Sequence, residues 1–188
     1  MYYALNRSFS RYKWLDYFQL AKSVLKPQHK LEQVSYFSAY VTWKPDNHKR
    51  HQDYVTALRW AGIEFVPGRF KNKKIRCHCC QKTFTTHEEK QTDVNIAIRL
   101  LADAVEDKYD RAVIVSADTD LTPAILCVRK LFPSKKIGVM FPIGRSSFEM
   151  KQEADFRINM PQKLLQASQF PDEIRIGKSV IKRPDSWK

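Results

Sequence analysis

Two aspartates, Asp118 and Asp120, directly follow an apolar run over residues 112–115 that is typical of a buried strand. In an open α/β sheet, ligands bind at the carboxyl ends of the strands. We therefore expect Asp118 at a strand tip and Asp120 in the first turn of the next helix. Carboxylates this close repel each other, and a hard divalent cation relieves that repulsion. Mg²⁺ or Mn²⁺ bound there could activate water and neutralise charge on a phosphate.

The same residues also have a purely structural explanation, because Ser116, Asp118 or Asp120 could simply cap the following helix. A third carboxylate, Asp93, favours the metal site. It lies near the start of a helix that we predict over 89–105, where small and polar neighbours would let it face a cleft. For the acidic residues around Asp93, favourable charge near a helix N-terminus is the alternative.

Alternating strand and helix patterns predict the elements that position these aspartates. Strands are predicted at 34–41, 63–70, 111–116, 136–141 and 156–158, and helices at 14–25, 48–61, 89–105, 119–131 and 147–154. Strand–helix–strand units imply parallel pairs with right-handed crossovers, so we expect an α/β fold with a mainly parallel sheet. The helix at 89–105 is predicted to carry Val94, Ala97, Ile98, Leu101 and Val105 on one face.

A second group of chemically active residues is a Cys-x-x-Cys pair, Cys77 and Cys80. A structural Zn²⁺ needs four sulfur or nitrogen ligands, and a closed site of that kind leaves no open position for catalysis. The remaining ligands would be His87 together with His78 or Cys79. A reduced hairpin without metal explains the pair equally well.

The chain is strongly basic, with 33 Lys and Arg against 20 Asp and Glu and a net charge of +13. A field of that sign attracts polyanions, which favours a nucleic-acid partner over a charge that serves solubility alone. A basic run leads into the cysteines and consists of Arg69, Lys71, Lys73, Lys74 and Arg76. It could hold an RNA backbone while aromatic rings stack on bases. A solvated surface loop would account for any one of these cations, but it accounts poorly for all of them together in one short segment.

A chain of 188 residues is long enough for one domain with its own core. We predict a domain over 1–165, with a small Cys-containing hairpin inserted at 71–87. Residues 166–188 are predicted as a C-terminal tail that packs on the domain or stays flexible.

The segment 1–18 lacks the apolar core of a signal peptide, and no apolar stretch is long enough to span a bilayer. The crowded cysteines do not form a disulfide framework. We therefore predict a cytoplasmic protein that binds no membrane. These patterns leave the RNA target and the oligomeric state open, a homo-oligomer included.

Two motifs, taken together, resemble a known family. Glu-Glu-Lys-Gln-Thr-Asp-Val at 88–94 is followed by Asp110 and then by Val-Ser-Ala-Asp-Thr-Asp-Leu-Thr-Pro-Ala at 115–124. Together they resemble the NYN domain family of PIN-like nucleases. The same pattern extends to Tyr2-Tyr3-Ala4-Leu5, to Tyr12-Lys13-Trp14-Leu15-Asp16 and to Gln169-Phe170-Pro171-Asp172-Glu173.

The resemblance implies a Rossmann-like three-layer sandwich and RNA cleavage that depends on Mg²⁺ or Mn²⁺. Asp93, Asp118 and Asp120 match the family's acidic, metal-binding positions. Lys90 matches a basic position that could contact phosphate, and its alternative role is a solvated lysine in the first turn of a helix.

One departure from the family pattern concerns the first strand, which normally ends in an Asp-Gly-Phe-Asn-type motif. This sequence begins at Met1-Tyr2-Tyr3 and has neither that aspartate nor that asparagine. A late start, a trimmed chain and a degenerate member are the explanations, and we favour a truncated start because an α/β sheet rarely survives loss of a central strand. The leading hypothesis is a divalent-metal-dependent endoribonuclease, and the alternative is a catalytically impaired RNA-binding or interaction module of the same fold.

Overall fold

The computed structural model describes Leu5 and residues 9–187, so Tyr2-Tyr3-Ala4 of the N-terminal motif lies outside the described residues. In chain order, the α-helices are α1 (Tyr17–Val24), α2 (Pro45–Trp60), α3 (Thr92–Val105), α4 (Thr122–Leu131), α5 (Phe148–Glu153) and α6 (Gln162–Ala167). The strands are β1 (Ser35–Ser38), β2 (Glu64–Pro67), β3 (Arg69–Arg76), β4 (Thr83–Lys90), β5 (Arg111–Ile114), β6 (Lys136–Met140), β7 (Phe156–Ile158), β8 (Glu173–Ile176) and β9 (Ser179–Lys182). Short 3₁₀ helices cover Ser10–Tyr12, Thr119–Leu121 and Asp185–Trp187.

The strands form parallel pairs and antiparallel hairpins. Strand β1 pairs in parallel with β2, and β5, β6 and β7 form a parallel sheet in that order. Strands β3 and β4 form one antiparallel hairpin, and β8 and β9 form another. The prediction of a mixed α/β fold with parallel strands is confirmed. In the described part of the chain, however, hydrogen bonds do not join the two parallel groups into one central sheet.

The C-terminal segment packs against the N-terminal part of the domain. The Trp14 indole N–H donates to the carbonyl of Pro171 at 2.8 Å, and the amide of Phe170 donates to the carbonyl of Trp14 at 3.0 Å. One core cluster contains Trp14 together with Phe170, Ile174, Ile181 and Trp187. Residues 166–187 therefore contribute buried apolar side chains as well as surface, because the hairpin β8–β9 presents one apolar side to the core.

Helix α3 buries residues outside the apolar face that its spacing indicates. Leu100 and Ala104 lie in a second core cluster, whereas Val94, Ile98 and Val105 are 59%, 61% and 65% exposed. The apolar face that the helical spacing indicates is therefore exposed at these three positions. An apolar helix face is buried only where another element covers it, and no described element covers this part of α3.

The start of α3 also differs from the prediction. Residues 89 and 90 belong to strand β4, because β3 continues to pair with β4 up to Arg69 opposite Lys90. Gln91 then adopts a left-handed backbone with φ 77°, and the helix begins at Thr92. Lys90 is therefore a strand residue and not a lysine of the first helical turn. None of the helices in the described part of the chain has both the length and the apolar character needed to span a bilayer.

Candidate functional site

The pair Asp118 and Asp120 lies just beyond the carboxyl end of β5, as the sequence predicts. The Asp118 side chain accepts the N–H of Asp120 at 3.2 Å, and the Ser116 hydroxyl accepts the N–H of Asp118 at 3.1 Å. Asp118 is thus the N-cap of the 3₁₀ helix Thr119–Leu121. The cap uses one carboxylate oxygen, Oδ1, so a structural role and a binding role are compatible at this residue.

Asp93 lies in the first turn of α3, which packs against the 3₁₀ helix Thr119–Leu121. Burial raises the pKa of Asp93, and the negative charges of Asp118, Glu89 and Asp120 raise it further. The structure therefore brings the three predicted aspartates close enough for their charges to interact.

Glu89 is a member of this acidic group that the sequence did not single out. It accepts a hydrogen bond from the Thr92 hydroxyl at 2.7 Å. Its position follows from β4, which runs to the edge of α3, whereas the sequence pattern indicates only a charge near a helix N-terminus. In the sequence, only the short spacing between Glu89 and Asp93 indicated that their carboxylates could lie near each other. That spacing becomes informative once Glu89 is known to lie in strand β4.

Close packing holds the end of β4 and the start of α3 against Gly68, which lies between β2 and β3. A Cβ at Gly68 would lie 2.6 Å from the Thr92 Oγ1 and 3.1 Å from the carbonyl oxygen of Lys90. Only glycine fits there without displacing this junction. The Asn95 amide donates to the carbonyl of Pro67 at 3.3 Å, which ties α3 to the end of β2.

The donor set of the site suits a hard cation. Carboxylate oxygens are the ligands that Mg²⁺ and Mn²⁺ prefer, and their mutual repulsion is what such an ion relieves. The hydroxyl of Thr122, two residues after Asp120, is also buried without a hydrogen-bond partner among the described residues. In the described conformation, however, no three His, Cys, Asp or Glu side chains converge tightly enough to hold one ion.

The cysteine segment forms the tip of the β3–β4 hairpin. The amide of Gln81 donates to the carbonyl of Cys77 at 2.9 Å and closes the turn. Hydrogen bonds from the backbone of Cys80 and Cys79 lower the pKa of the Cys77 thiol. The four cysteines are all free.

His87 does not join Cys77 and Cys80, contrary to the predicted zinc ligand set. It lies opposite Asn72 in the hairpin, away from the tip, and its Nδ1 lies 2.8 Å from Asn72 Oδ1. Its ring stacks on that of Trp43, with centroids 3.5 Å apart. Strand register explains the difference, because each residue along β4 moves the side chain about 3.4 Å farther from the turn.

The predicted RNA-binding cations Arg69, Lys71, Lys73, Lys74 and Arg76 all lie on strand β3 and are exposed. Lys90 lies on the neighbouring strand and contacts Glu88 Oε1 at 2.7 Å, while Lys73 contacts Glu88 Oε2 at 3.7 Å. The basic run is thus one strand of a hairpin that continues into the acidic group.

Comparison with known families identifies the lineage of this arrangement. A model of the NYN domain matches residues 1–159. The chain belongs to the NYN domain family.

This NYN domain is similar to a protein from Pseudomonas putida (strain DSM 28022 / S16) named 6-hydroxy-3-succinoylpyridine 3-monooxygenase HspA. The two are 28% identical over 218 aligned residues, which cover 94% of this chain and 69% of that protein. It also resembles the crystal structure of a protein of unknown function from Vibrio parahaemolyticus RIMD 2210633. That match has a TM-score of 0.52 and 19% identity, covering 79% of this chain and 80% of that one, and supports the fold alone.

Proposed function

We propose that this NYN domain is a divalent-metal-dependent endoribonuclease that hydrolyses RNA phosphodiester bonds at Asp93, Asp118 and Asp120. The observation that carries the proposal is the packing of the first turn of α3, with Asp93, against the 3₁₀ helix that Asp118 caps and that contains Asp120. Burial, and then the charges of Asp118, Glu89 and Asp120, raise the pKa of Asp93. Ionised carboxylates that lie close together repel one another, and a bound divalent cation relieves that repulsion. Membership of the family and the net charge of +13 support RNA as the substrate.

In this proposal the three aspartates hold Mg²⁺ or Mn²⁺, and the bound ion supplies an activated water and charge neutralisation at the phosphate. The protein's own contribution is positioning. The Asp120 N–H donates to the Asp118 carboxylate and holds it in place, and Asp93 is partly buried. Cations of the β3–β4 hairpin attract the RNA backbone. A cytoplasmic location, in keeping with the free cysteines, is part of the same proposal.

A catalytically impaired RNA-binding module is the second candidate. It is favoured by the absence, among the described residues, of three side chains that converge on one ion position. The activity named for the Pseudomonas relative is that of a monooxygenase. A net charge of +13 over the whole chain suits a polyanionic substrate better than 6-hydroxy-3-succinoylpyridine.

The test compares Asp118→Asn with Asp118→Ala. Asparagine keeps an oxygen that can accept the Asp120 N–H, so Asp118→Asn removes the charge and preserves the cap. We expect the unmodified chain to cleave RNA with Mn²⁺, and Asp118→Asn to cleave about 100-fold more slowly or worse while melting at a similar temperature. Asp118→Ala is expected to lose about 1 kcal/mol of stability in addition.

Rates of RNA cleavage and thermal melting curves are measured on the same preparations. Equal cleavage by the unmodified chain and Asp118→Asn would contradict the catalytic assignment. RNA binding without cleavage by any of the three proteins would favour the binding module.

A further inference from the structure

The two faces of the β3–β4 hairpin carry different chemistry. Side chains alternate between the faces of a strand, and directly opposed residues of an antiparallel pair share a face. The aromatic face of the hairpin consists of the pairs Phe70–Glu89, Asn72–His87, Lys74–Thr85 and Arg76–Thr83. The opposite face consists of the pairs Arg69–Lys90, Lys71–Glu88, Lys73–Thr86 and Ile75–Phe84.

A tryptophan from outside the hairpin lies against the aromatic face. The Trp43 ring stacks on His87 with centroids 3.5 Å apart and planes 15° apart, and it meets Phe70 edge-on at 4.7 Å. Asn72 contacts His87 from the neighbouring strand and fixes its ring. Trp43 is still 36% exposed, so this cluster presents an ordered aromatic surface to solvent.

The cations of the two faces also differ. On the opposite face, Lys73 and Lys90 both contact Glu88, which neutralises part of their charge, while Arg69 and Lys71 form no ion pair with another described residue. On the aromatic face, Lys74 and Arg76 are exposed and form no ion pair with another described residue. Their charge is therefore available to an incoming anion.

The aromatic face continues into the acidic group. Glu89, paired with Phe70, accepts a hydrogen bond from the Thr92 hydroxyl at 2.7 Å, which places it beside Asp93 in the first turn of α3. Successive residue pairs on one face of the hairpin are about 7 Å apart. The carboxylate of Glu89, the aromatic rings and the unpaired cations therefore lie in succession along the aromatic face.

We infer that the aromatic face binds single-stranded RNA, with a base stacked on the Trp43–His87 pair and phosphates on Lys74 and Arg76. This inference rests on the proposed function, since it names the form of RNA that reaches the acidic group. A duplex keeps its bases stacked inside, whereas a single strand can offer a base to an aromatic ring.

The experiment measures binding of a fluorescein-labelled oligouridine of about ten nucleotides by fluorescence anisotropy. EDTA is present, so cleavage cannot mask binding. Trp43→Ala is compared with Trp60→Ala, a tryptophan that is 55% exposed on α2. The double variant Lys74→Gln/Arg76→Gln is compared with Lys71→Gln/Lys73→Gln, which removes the same charge from the opposite face.

We expect Trp43→Ala to raise the Kd about 10-fold and Trp43→Phe to restore most of the binding. Lys74→Gln/Arg76→Gln is expected to raise the Kd and to reduce the slope of log Kd against log salt by about 1.4. Trp60→Ala is expected to change the Kd less than about 2-fold, and Lys71→Gln/Lys73→Gln is expected to raise the Kd less than Lys74→Gln/Arg76→Gln does. A blunt RNA duplex is expected to bind more weakly and to be insensitive to Trp43→Ala.

Equal weakening by the two double variants, or no effect of Trp43→Ala, would overturn the inference. The inference would also be overturned if duplex RNA bound as tightly as single-stranded RNA, or if no RNA bound at all. Melting curves of every variant separate loss of binding from loss of folding. If cleavage with Mn²⁺ is normal in Trp43→Ala and Lys74→Gln/Arg76→Gln, the inference fails and the nuclease stands. Single-strand binding on this face without cleavage supports the inference and rejects the nuclease.

Discussion

At the scale of single residues, Asp118 caps a 3₁₀ helix and also contributes charge near Asp93. Its Oδ1 accepts the Asp120 N–H, while the charge of the carboxylate contributes to the raised pKa of Asp93. The sequence presents these roles as alternatives because Asp is favoured both at helix N-caps and in cation sites. Asp118→Asn separates them because it removes only the charge.

His51 is a second residue whose surroundings determine its chemistry. It lies on α2 against the rings of Tyr40 and Phe65, with centroids 4.9 and 6.3 Å away. Burial, and then the nearby His48, lower the pKa of His51 to about 4. The Nε2 atom is buried without a described hydrogen-bond partner, which agrees with a neutral ring.

This pKa predicts a loss of stability in mild acid. An unfolded histidine titrates near pH 6.5, so between about pH 4 and 6.5 the unfolded chain binds more protons than the folded one. The contribution of His51 is complete above about pH 6.5 and decreases as the pH falls towards 4, by at most about 3 kcal/mol. Urea unfolding from pH 7.5 to pH 4.5 measures it.

His51→Phe is expected to flatten this pH dependence, since phenylalanine fills the aromatic pocket without titrating. His78→Gln is the control, because His78 is exposed at the tip of the hairpin. The same slope in His51→Phe as in the unmodified chain would assign the acid sensitivity to another group.

At the scale of elements, the helical period locates α3, but it does not determine which side of the helix meets the core. Apolar residues cover a wide arc of this helix, and helical spacing alone cannot say which part of the arc meets the core. Leu100 and Ala104 do so, while Val94, Ile98 and Val105 remain on the exposed side.

Leu100→Ala and Ile98→Ala test this orientation by removing a similar volume from the two sides of α3. Leu100 is 7% exposed and Ile98 is 61% exposed. We expect Leu100→Ala to reduce the free energy of unfolding by about 2–5 kcal/mol and Ile98→Ala by less than about 1 kcal/mol. Urea denaturation gives both values. A large, concentration-dependent cost for Ile98→Ala would mean instead that a second copy covers this face in solution.

At the scale of the whole molecule, the two ends of the described chain stabilise each other. Trp14 contacts Tyr54, Phe170 and Trp187, with ring centroids between 5.5 and 6.5 Å apart within this aromatic group. The isolated bridge between Leu15 and Gln169 and the bond from Asp16 N–H to the Ser168 carbonyl, 2.8 Å long, join the same regions.

Trp187→Ala should therefore be far more destabilising than Trp60→Ala. Trp187 is 4% exposed in the core cluster and Trp60 is 55% exposed. We expect costs of about 3–5 kcal/mol for Trp187→Ala and less than about 1 kcal/mol for Trp60→Ala. Thermal or urea unfolding measures both. Similar small costs would mean that the C-terminal segment is not part of the cooperative core.

The sequence by itself determined the parts of this protein that depend on neighbours within a few residues. Strand and helix periods located most elements, and Pro123 lies in the first turn of α4 as its fixed φ requires. The two acidic motifs were enough to indicate the NYN domain family and to single out Asp93, Asp118 and Asp120.

Only the tertiary structure decided what depends on residues distant in sequence. The register of β3 with β4 moved Lys90 into a strand, separated His87 from the cysteines and sorted the cations between two faces. Burial selected the inner side of α3 and drew the C-terminal segment into the core. Local propensity acts over one or two turns, whereas pairing, burial and electrostatic coupling are set by atoms that the fold brings together.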